Sequence, residues 1–585
     1  MDTVLLTNRL GGYALLSPSP SSRYEGVFFM QGQMFKAIEE LKHPSGIKDV
    51  IYKSYEVERV REDFTEKYFM PLGTSSIVYT TTKPVTIDLL LDIRQSYDTR
   101  TWGRHYAVES TSEHIIITFI KRTHKEEDES HDDEEYRAYL VIRKPDEFTL
   151  TDYWEEHHYP VDEERENISS RFVHCPIKLS GSKHIFSFGF DKDAAIEENR
   201  LVHNHLARLR EDAIDYMGSL MSTEGNDRVL QAYECSIQTL DKLTVSGDDP
   251  GMFAGLPWFF QFWSRDELIS MRALLLTHRY EFAGHIIKRY ARMIQEDGRI
   301  PNRFPGTKLS SADAIGWLFK RFDDFFMTLN STGRLKDYLP KEEFKRIAEA
   351  LEISCNRLTV SYMNGLCHNR PLETWMDTGY KSDNREGARI EIQALFLNMF
   401  KFMYLFTNNY KYKRQEDELR QRVRNAFWDG NVLSDGADDP TIRPNLFIAA
   451  YVYPELLTDE EWKTCFTTAL EHLWLPWGGI ASIDTSHELF IDHYTGSDNR
   501  SYHRGDSWYF LNNMAALVLS RTGGFSGYVD KIVEASTREI LDSGVIGAHA
   551  EVSSAKEQKS QGCPVQLWST ALYIELINEI RLKQR

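Results

Sequence analysis

The hydrophobic pattern of the chain changes near residue 205. Before this point, short segments rich in β-branched and aromatic residues recur, among them SSIVYTTT, EHIIITFIKR and KHIFSFGF, with polar turns between them. After it, apolar residues recur at helical spacing in roughly twelve amphipathic segments. We therefore predict two domains, an N-terminal antiparallel β-sandwich over residues 1–204 and an all-α domain over residues 205–585.

The predicted helices would pair into about six helical hairpins. Such hairpins can close into a ring or stack into an open solenoid, and hydrophobic periodicity alone does not distinguish the two arrangements. The sequence shows no internal repeat of fixed period, which disfavours the solenoid.

Composition restricts the partners and the location of the protein. The formal net charge of −19 argues against nucleic acid or an anionic membrane surface as the main partner, and a neutral polymer fits better. The N-terminus lacks the features of a signal peptide, and no apolar run reaches the roughly 20 residues of a membrane span. The six cysteines form no close C-x-x-C pair, which indicates neither a zinc site nor a disulfide framework. We therefore expect a cytoplasmic protein with reduced thiols.

The hexamer TWMDTG at residues 374–379 places a carboxylate, Asp377, directly after the aromatic residue Trp375. A glycosidase acid needs such a setting, because low local polarity keeps its proton near neutral pH and an aromatic face can stack on a sugar ring. A core tryptophan followed by a helix-capping aspartate gives the same hexamer and is the more common origin of it.

The hexamer belongs to a series of motifs in a fixed order. It follows GLPWFFQFWSRDELIS (255–270), DGRIPNRF (297–304) and SSADAIGW (310–317), and it precedes ARIEIQALFLN (388–398), RPN (443–445), LPWGGIASID (475–484), YHRGDSW (502–508) and GCPVQLWS (562–569). In this order and spacing, the series closely resembles the catalytic domain of the amylo-α-1,6-glucosidase type of glycogen debranching enzyme. The segments LLTNRLGGYA (5–14) and SSRYEG (21–26) resemble the start of the β-rich domain that precedes it in archaeal and bacterial members.

The resemblance implies an (α/α)6 toroid and the removal of single α-1,6-linked glucose residues from branched α-glucans, with inversion at the anomeric carbon. It implies Asp377 as the general acid and, as the general base, a carboxylate about a dozen residues before the GC of the last motif. Glu551 lies at the matching distance from Cys563, whereas Glu557 is too close to it. We expect neither a metal nor a cofactor.

Residues of the same motifs are expected to bind the sugar. Arg265 and Asp266 resemble the pair that hydrogen-bonds the non-reducing glucose, although Asp266 also suits the first turn of a helix, where an acid is stabilised by the helix dipole. The full set of expected substrate contacts is Trp258, Trp263, Arg265, Asp266, Arg303, Trp317, Trp375, Glu391, His503 and Trp508.

Two members of this set have an alternative interpretation. His503 is either a sugar ligand or a hydrogen-bonded residue in the wall of the pocket. Glu391 lies among apolar residues of a predicted helix, so a buried carboxylate there requires a partner, for which Arg389 and Arg303 are available. Glu391 is then either a ligand or a structural brace.

The chain also departs from the resembling family. YHRGDSW places Arg504 and Asp506 where the relatives are less charged. The two residues either form an exposed ion pair of little energetic consequence or face the site and reshape the subsites beyond the first glucose.

Two further classes of function remain open. Glucoamylases, trehalases and disaccharide phosphorylases share the toroid, and a phosphorylase would replace the base carboxylate by groups that hold phosphate, such as Lys556 and Lys559. A non-catalytic glycan-binding protein would keep the aromatic residues without needing both carboxylates. Because the chain has no room for the α-amylase-like unit of eukaryotic debranching enzymes, we expect it to act on trimmed branches or beside a separate glucanotransferase.

Overall fold

The computed structural model describes residues 3–124, 134–220, 227–306, 311–359 and 362–582. The chain forms two compact units, Met1–Glu224 with Asp241–Asp248 and Gly225–Leu240 with Asp249–Arg585. The predicted boundary at residue 205 falls on a kink in a long helix, where His205 leaves helical geometry (φ −117°, ψ 15°). The division of the chain into domains at that residue stays a prediction.

The first unit consists mainly of antiparallel strands. They are β1 (Val4–Thr7), β2 (Tyr13–Leu16), β3 (Gly26–Gln31), β4 (Gln33–Ile38), β5 (Glu40–Lys42), β6 (Ile47–Lys53), β7 (Glu56–Arg61), β8 (Thr65–Phe69), β9 (Ser76–Leu91), β10 (Arg94–Gln95), β11 (Arg104–Ser110), β12 (His114–Thr123), β13 (Glu134–Arg143), β14 (Glu147–His158), β15 (Ser170–Gly189) and β16 (Thr244–Val245). The helices of this unit are α1 (Pro160–Glu164) and α2 (Lys192–Leu220).

Two sheets share one apolar core in this unit. The first has the order β1-β2-β3-β4-β10, and the second has the order β11-β12-β13-β15-β9-β8-β7-β6, with β14 beside β15 and β5 beside β9. Alternate residues of β12, such as Ile115 and Ile117, point into the core, where they join residues of the first sheet such as Phe29. The prediction of an antiparallel, β-rich N-terminal part is confirmed.

The second unit is helical. Its helices are α3 (Arg228–Lys242, whose last residues belong to the first unit), α4 (Ser264–Leu276), α5 (Tyr280–Arg292), α6 (Ala314–Ser331), α7 (Leu335–Tyr338), α8 (Lys341–Leu358), α9 (Ile390–Thr407), α10 (Tyr410–Phe427), α11 (Asn445–Val452), α12 (Asp459–Leu473), α13 (Tyr509–Thr522), α14 (Ser526–Asp542) and α15 (Leu567–Ile577). Short 3-10 turns lie at Pro454–Leu456 and Gly496–Asp498, and a π-helical turn at Asn578–Leu582 follows α15.

Six of these helices close a ring. Helix α4 packs on α6, α6 on α9, α9 on α11, α11 on α13, α13 on α15, and α15 returns to α4. Helices α11 and α15 are buried along their whole length, as expected for helices that are apolar on every side. Helices α5, α10 and α14 pack against α4, α9 and α13, respectively, and each has one apolar face. An open solenoid does not return its last helix to its first, so this arrangement excludes it.

Short two-stranded sheets connect the segments that precede the inner helices. They are formed by β17 (Gly251–Met252), β18 (Gly255–Leu256), β19 (Phe262–Trp263), β20 (Arg303–Phe304), β21 (Tyr362–Met363), β22 (Leu366–Cys367), β23 (Trp474–Leu475), β24 (Gly479–Ile480), β25 (Ser507–Trp508), β26 (Val552–Ser553) and β27 (Val565–Gln566). Strand β18 pairs with β27, β19 with β20, and β25 with β26. These pairs bring the segments before α4, α6, α13 and α15 together at one end of the ring.

Within the described residues, every helix is too short or too polar to traverse a bilayer. The cytoplasmic location stays a prediction. All six cysteines lie in the described ranges, and no disulfide joins any two of them.

The tight contact between α6 and α9 generates a stability prediction. A Cβ atom on Gly316 of α6 would lie 2.6 Å from the Cβ atom of Leu395 on α9. We expect Gly316→Ala to lower the free energy of unfolding by about 1–3 kcal/mol, because the inner helices would have to separate. Thermal denaturation followed by circular dichroism measures the effect.

Gly284 of α5 provides the matched control, because its added Cβ would stay 3.4 Å from the nearest atom, Phe325 Cζ. Gly284→Ala should be neutral or stabilise the helix by up to about 1 kcal/mol. Equal melting temperatures for the two variants would contradict the packing argument.

Candidate active site

Asp377 lies in an irregular segment between β22 and α9, which we call the Asp377 loop (residues 374–389). Its Oδ2 atom is 3.6 Å from Nη1 of Arg265, and its side chain remains 38% exposed. Nε of Arg265 is in turn 2.8 Å from Oδ2 of Asp313, the residue before α6. Burial raises the pKa of the Asp377 carboxyl, and the charge of Arg265 opposes this shift. Asp377 therefore keeps its proton to a higher pH than an ordinary aspartate, as a general acid requires.

Trp375 packs behind the Asp377 loop. Its indole Nε1 donates a hydrogen bond to Oδ1 of Asn445 at 2.7 Å. Its ring contacts His503, Trp508 and Phe510 edge to face, with centroids 5.1–5.4 Å apart, and only 3% of the residue is exposed. Trp375 thus packs as a core anchor, and its expected contact with a sugar stays a prediction.

Glu551 lies in the segment before α15, and the protein holds both of its oxygens. Oε1 accepts a hydrogen bond from the Tyr502 hydroxyl at 2.5 Å, and Oε2 accepts one from the backbone N–H of Cys563 at 2.8 Å. Gly562 is needed beside it, because a Cβ atom there would lie 2.4 Å from Oε2 of Glu551 at a left-handed φ of 67°. Glu551 is 3% exposed and therefore has a fixed orientation.

Tyr502 connects the two carboxyl groups. Burial raises the pKa of its hydroxyl well above the ordinary value, and the charges of both Glu551 and Asp377 add to the shift. Asp377 and Glu551 therefore lie close enough to one site for both charges to act on one hydroxyl group. Asp377 precedes α9 and Glu551 precedes α15, and these helices stand three positions apart in a ring of six. The two carboxyl groups therefore come from loops that precede different inner helices.

Asp266 is the third carboxyl group of the site. It lies in the first turn of α4 beside Arg265 and is buried. Burial raises its pKa to about 8, the charge of Arg265 opposes the shift, and the charges of Glu551 and Asp377 add to it. Asp266 is therefore neutral at pH 7, and its carboxyl group can both donate and accept a hydrogen bond.

Three of the expected substrate contacts border this group of residues and keep some exposure. Trp258 and Trp263 are half-buried in the segment before α4, and the half-buried Arg303 is paired with Trp263 across the β19–β20 ladder. The Arg303 guanidinium lies 5.6 Å from the centroid of the Trp263 ring. Aromatic faces beside a guanidinium suit a sugar, which presents both apolar C–H faces and hydroxyl groups.

Other expected contacts serve packing. Trp317 of α6 is fully buried, with its ring 6.2 Å from that of Tyr451 and 5.3 Å from the guanidinium of Arg321, so it binds the inner helices together. Trp508 is also buried, and its Nε1 donates to the carbonyl oxygen of Tyr502 at 2.7 Å. Trp317 and Trp508 thus contribute to packing, and their expected contacts with a sugar stay a prediction.

Glu391 is a structural brace. It forms a two-bond ion pair with Arg385, with N···O distances of 2.7 and 3.1 Å, and both side chains are buried. Arg385 also donates to both oxygens of Asp435 at 2.8 and 3.0 Å. The expected partners of Glu391 are corrected as well, because Arg389 pairs with Asp435 and Asp439 instead, and Arg303 faces Trp263.

His503 belongs to the wall of the pocket. Its Nδ1 atom is 2.7 Å from the Thr378 hydroxyl, and its ring stacks on Trp508 at 5.2 Å. Burial lowers its pKa well below the ordinary value, and the charges of nearby arginines, led by Arg504, add to the shift, so the imidazole is neutral. No partner of its Nε2 atom occurs among the residues that the structure describes.

Arg504 and Asp506 form neither an exposed pair nor a pair with each other. Arg504 is buried and pairs with Asp383, with 2.7 Å between Nε and Oδ2. Asp506 is also buried and accepts a hydrogen bond from the Ser501 hydroxyl at 2.7 Å. Burial raises its pKa well above the ordinary value, and the charge of Glu551 adds to the shift. The expectation of a weak surface ion pair is wrong, because both groups lie inside the folded loops.

Two residues at the centre of the site were missed as individual functional residues. Tyr502 and Asp313 hold Glu551 and Arg265, respectively, yet only the motifs that contain them were singled out. The sequence feature that could have identified them is their position in the motifs YHRGDSW and SSADAIGW. In the described part of the chain, no group of three or more His, Cys, Asp or Glu side chains has an arrangement that could hold a metal ion.

Comparison with known proteins agrees with this geometry. A family model described as Amylo-alpha-1,6-glucosidase matches residues 234–575, more than half of the chain. The glycogen debranching enzyme of Saccharomyces cerevisiae (strain ATCC 204508 / S288c) is 22% identical over an alignment of 379 positions, and the match covers 45% of this chain and 24% of the yeast protein. This chain thus spans about a quarter of the length of that relative.

The fold is also similar to a solved structure. A bacterial glucoamylase complexed with acarbose has a TM-score of 0.62 and 11% sequence identity, with 99% of this chain and 93% of the other covered. At this level of identity the similarity concerns the fold alone.

The contacts of the last loop predict which of its glutamates matters. We expect Glu551→Gln to lower the rate of glycoside hydrolysis by about 10²–10⁴-fold, because the amide cannot accept a proton from water. Glu557→Gln should leave the rate unchanged, since Glu557 is exposed and contacts Ser553 and Ser554 through its backbone carbonyl. Steady-state assays of both variants test whether Glu551 is the general base. Loss of activity in Glu557→Gln but not in Glu551→Gln would assign that role to Glu557.

Proposed function

The chain belongs to the amylo-α-1,6-glucosidase family, and from this membership we propose that it removes single α-1,6-linked glucose residues from branched α-glucans. The observation that supports this proposal most directly is the pair of carboxyl groups fixed by protein contacts. Asp377 lies 3.6 Å from Arg265, and Glu551 is held by Tyr502 and the Cys563 N–H. Hydrolysis of a glycosidic bond needs two carboxyl groups on opposite sides of the sugar. Two such groups, one with a raised pKa and one held by two donors, match that need.

In the proposed mechanism, Asp377 is the general acid. It donates its proton to the glycosidic oxygen, so that the rest of the glucan leaves as an alcohol while the anomeric carbon of the glucose passes through an oxocarbenium-like transition state and is attacked by water. Arg265, 3.6 Å from Oδ2, would stabilise the carboxylate that forms. Because Asp313 also binds Arg265, the guanidinium stays in place when Asp377 changes its charge.

Glu551 acts as the general base and accepts a proton from the attacking water. Its two hydrogen bonds, from Tyr502 and from the Cys563 N–H, orient it without supplying a positive charge nearby. Asp266 and Arg265 would bind hydroxyl groups of the non-reducing glucose, and a neutral Asp266 adds no repulsion to the charge on Glu551. Trp258, Trp263 and Arg303 would contact the apolar faces of the sugar.

We propose an inverting reaction. A base that activates water must stand back from the sugar, with the two carboxyl groups roughly 6.5–9.5 Å apart, whereas a retaining nucleophile needs about 5–5.5 Å. Asp377 and Glu551 belong to loops that precede different inner helices, and we propose that they stand far enough apart for a sugar and a water between them.

Substrate choice and partners complete the proposal. A separate glucanotransferase that shortens longer branches first is a proposed partner, because removal of a single α-1,6-linked glucose requires a branch already trimmed to one residue. The presence of Glu551 as a base favours hydrolysis, because a phosphorylase would not need a base carboxylate. In addition, Lys556 and Lys559, the groups available to hold phosphate, are exposed.

The proposal is tested with a panel of substrates. The protein is incubated with a branched limit dextrin, isomaltose, maltose and trehalose, with and without phosphate. We expect free glucose from the limit dextrin in the absence of phosphate, and proton NMR should show the β-anomer first, because water attacks opposite the α-linked leaving group. Release of glucose 1-phosphate would indicate a phosphorylase, an initial excess of α-glucose would contradict inversion, and cleavage of maltose or trehalose alone would identify another toroid hydrolase.

The role of Asp377 gives a separate prediction. We expect Asp377→Asn to lower turnover by about 10²–10⁴-fold, because the amide keeps the shape of the side chain but has no acidic proton. Binding of oligosaccharide, measured by calorimetry, and the melting temperature should change little. Turnover equal to that of the wild type would remove Asp377 from its role.

A further inference from the structure

Asp377 lies in a loop that needs support from outside. Residues 374–389 form turns and isolated bridges, and Lys381 and Arg385 adopt left-handed φ angles of 53° and 52°. Such angles cost free energy in residues with a side chain, and local hydrogen bonds such as the mutual backbone pair of Tyr380 and Asp383 span only part of the loop. Contacts from other segments must therefore determine where the carboxyl group of Asp377 points.

Arg504 supplies such contacts at both ends of the turn that follows Asp377. Its Nη2 atom donates to the carbonyl oxygen of Thr378 at 2.7 Å and to that of Asp383 at 2.9 Å. Its Nε atom donates to Oδ2 of Asp383 at 2.7 Å. The guanidinium also lies 5.8 Å from the centroid of the Tyr380 ring, between the two ends. One side chain thus contacts the start, the middle and the end of the turn.

Thr378 is the residue next to Asp377, and two neighbouring residues, His503 and Arg504, each form a hydrogen bond with it. His503 binds its hydroxyl group at 2.7 Å, and Arg504 binds its carbonyl oxygen. The side chain of Thr378 and the peptide group that follows Thr378 are therefore both held. Because Thr378 is bonded directly to Asp377, these contacts restrict the backbone that carries the Asp377 carboxyl group, which lies 3.6 Å from Arg265.

The chemistry of the guanidinium suits this task. Only 1% of Arg504 is exposed, so its N–H groups depend on protein acceptors. A planar guanidinium offers donors in a fixed fork, whereas a lysine ammonium acts as a point charge and a glutamine offers only one amide group. Asp383 also pairs with Arg443 at 2.9 Å, so it keeps a cationic partner when Arg504 is replaced.

We propose that Arg504 is a positioning residue, which acts on the reaction by fixing the turn that carries Asp377. This inference rests on the proposed function, because it takes Asp377 as the acid. Arg504 does not contact the sugar in this proposal. Its removal should therefore lower kcat much more than it changes KM.

The first test does not depend on activity. Hydrogen–deuterium exchange followed by mass spectrometry is compared for the wild type, Arg504→Gln and the control Arg414→Gln. Arg414 is an exposed residue of the outer helix α10, 3.8 Å from Glu418. We expect faster exchange in peptides that cover the Asp377 loop in Arg504→Gln and wild-type exchange in Arg414→Gln. Unchanged exchange of the loop in Arg504→Gln would overturn the proposal.

The second test measures kcat and KM on the substrate that the wild type hydrolyses. A displacement of about 1 Å at a catalytic group can cost on the order of 10²-fold in rate, so we expect kcat to fall about 10- to 100-fold in Arg504→Gln. KM should stay within about 3-fold, Arg504→Lys should recover part of the loss, and added guanidinium should restore activity to Arg504→Ala. A wild-type kcat, or an equal loss in all three variants with no recovery by guanidinium, would contradict the role.

The two tests separate this inference from the proposed function. If the wild type hydrolyses no glucoside, the proposed function fails while the exchange experiment still reports on the loop. If the wild type is active and the Arg504 variants match it, the function stands and the positioning role fails.

Discussion

The burial of six helices in one closed ring is the constraint on which the rest of the structure depends. A helix buried on every side must be largely apolar, and a charged group in its middle, such as Arg321 on α6, needs buried partners such as Asp324 and Tyr451. Polar residues accordingly lie in the first turns of the inner helices, such as Asp266 on α4, Glu391 on α9 and Asn445 on α11. Because the two-stranded sheets bring the segments before several of these helices to one end of the ring, the polar residues meet there.

Buried ion pairs then hold loops that have little regular structure. Arg385 binds Glu391 and Asp435, and Arg443 binds Asp383, all of them in or beside the Asp377 loop. Burying such charges costs free energy that bidentate geometry and additional hydrogen bonds must offset, and loss of one partner leaves an uncompensated charge. These pairs therefore contribute more to the uniqueness of the loop conformation than to overall stability. An active site made of loops depends on that uniqueness.

The protonation states of the site follow from burial rather than from residue type. Asp266, Asp377 and Glu551 are all carboxylic acids, yet burial raises the pKa of the first to about 8, and that of the second rises while Arg265 opposes the shift. Glu551 is held by two neutral donors instead. The surroundings of chemically similar groups thus differ within one site, as acid and base catalysis in the same site requires.

The sequence by itself determined the β-rich and helical parts of the chain and the motifs that hold Asp377 and Glu551, because periodicity and residue order record these features directly. It did not determine which tryptophans bind sugar: Trp317, Trp375 and Trp508 proved to be buried. An aromatic residue meets the same local requirements in a core and in a sugar site, so only its contacts distinguish the two roles. Likewise, the pairing of Arg504 with Asp383, 121 residues earlier, is decided where the ring brings their loops together. The partner of Arg504 is determined by the tertiary structure alone. The strength of an ion pair depends on distance and burial, and residue order specifies neither.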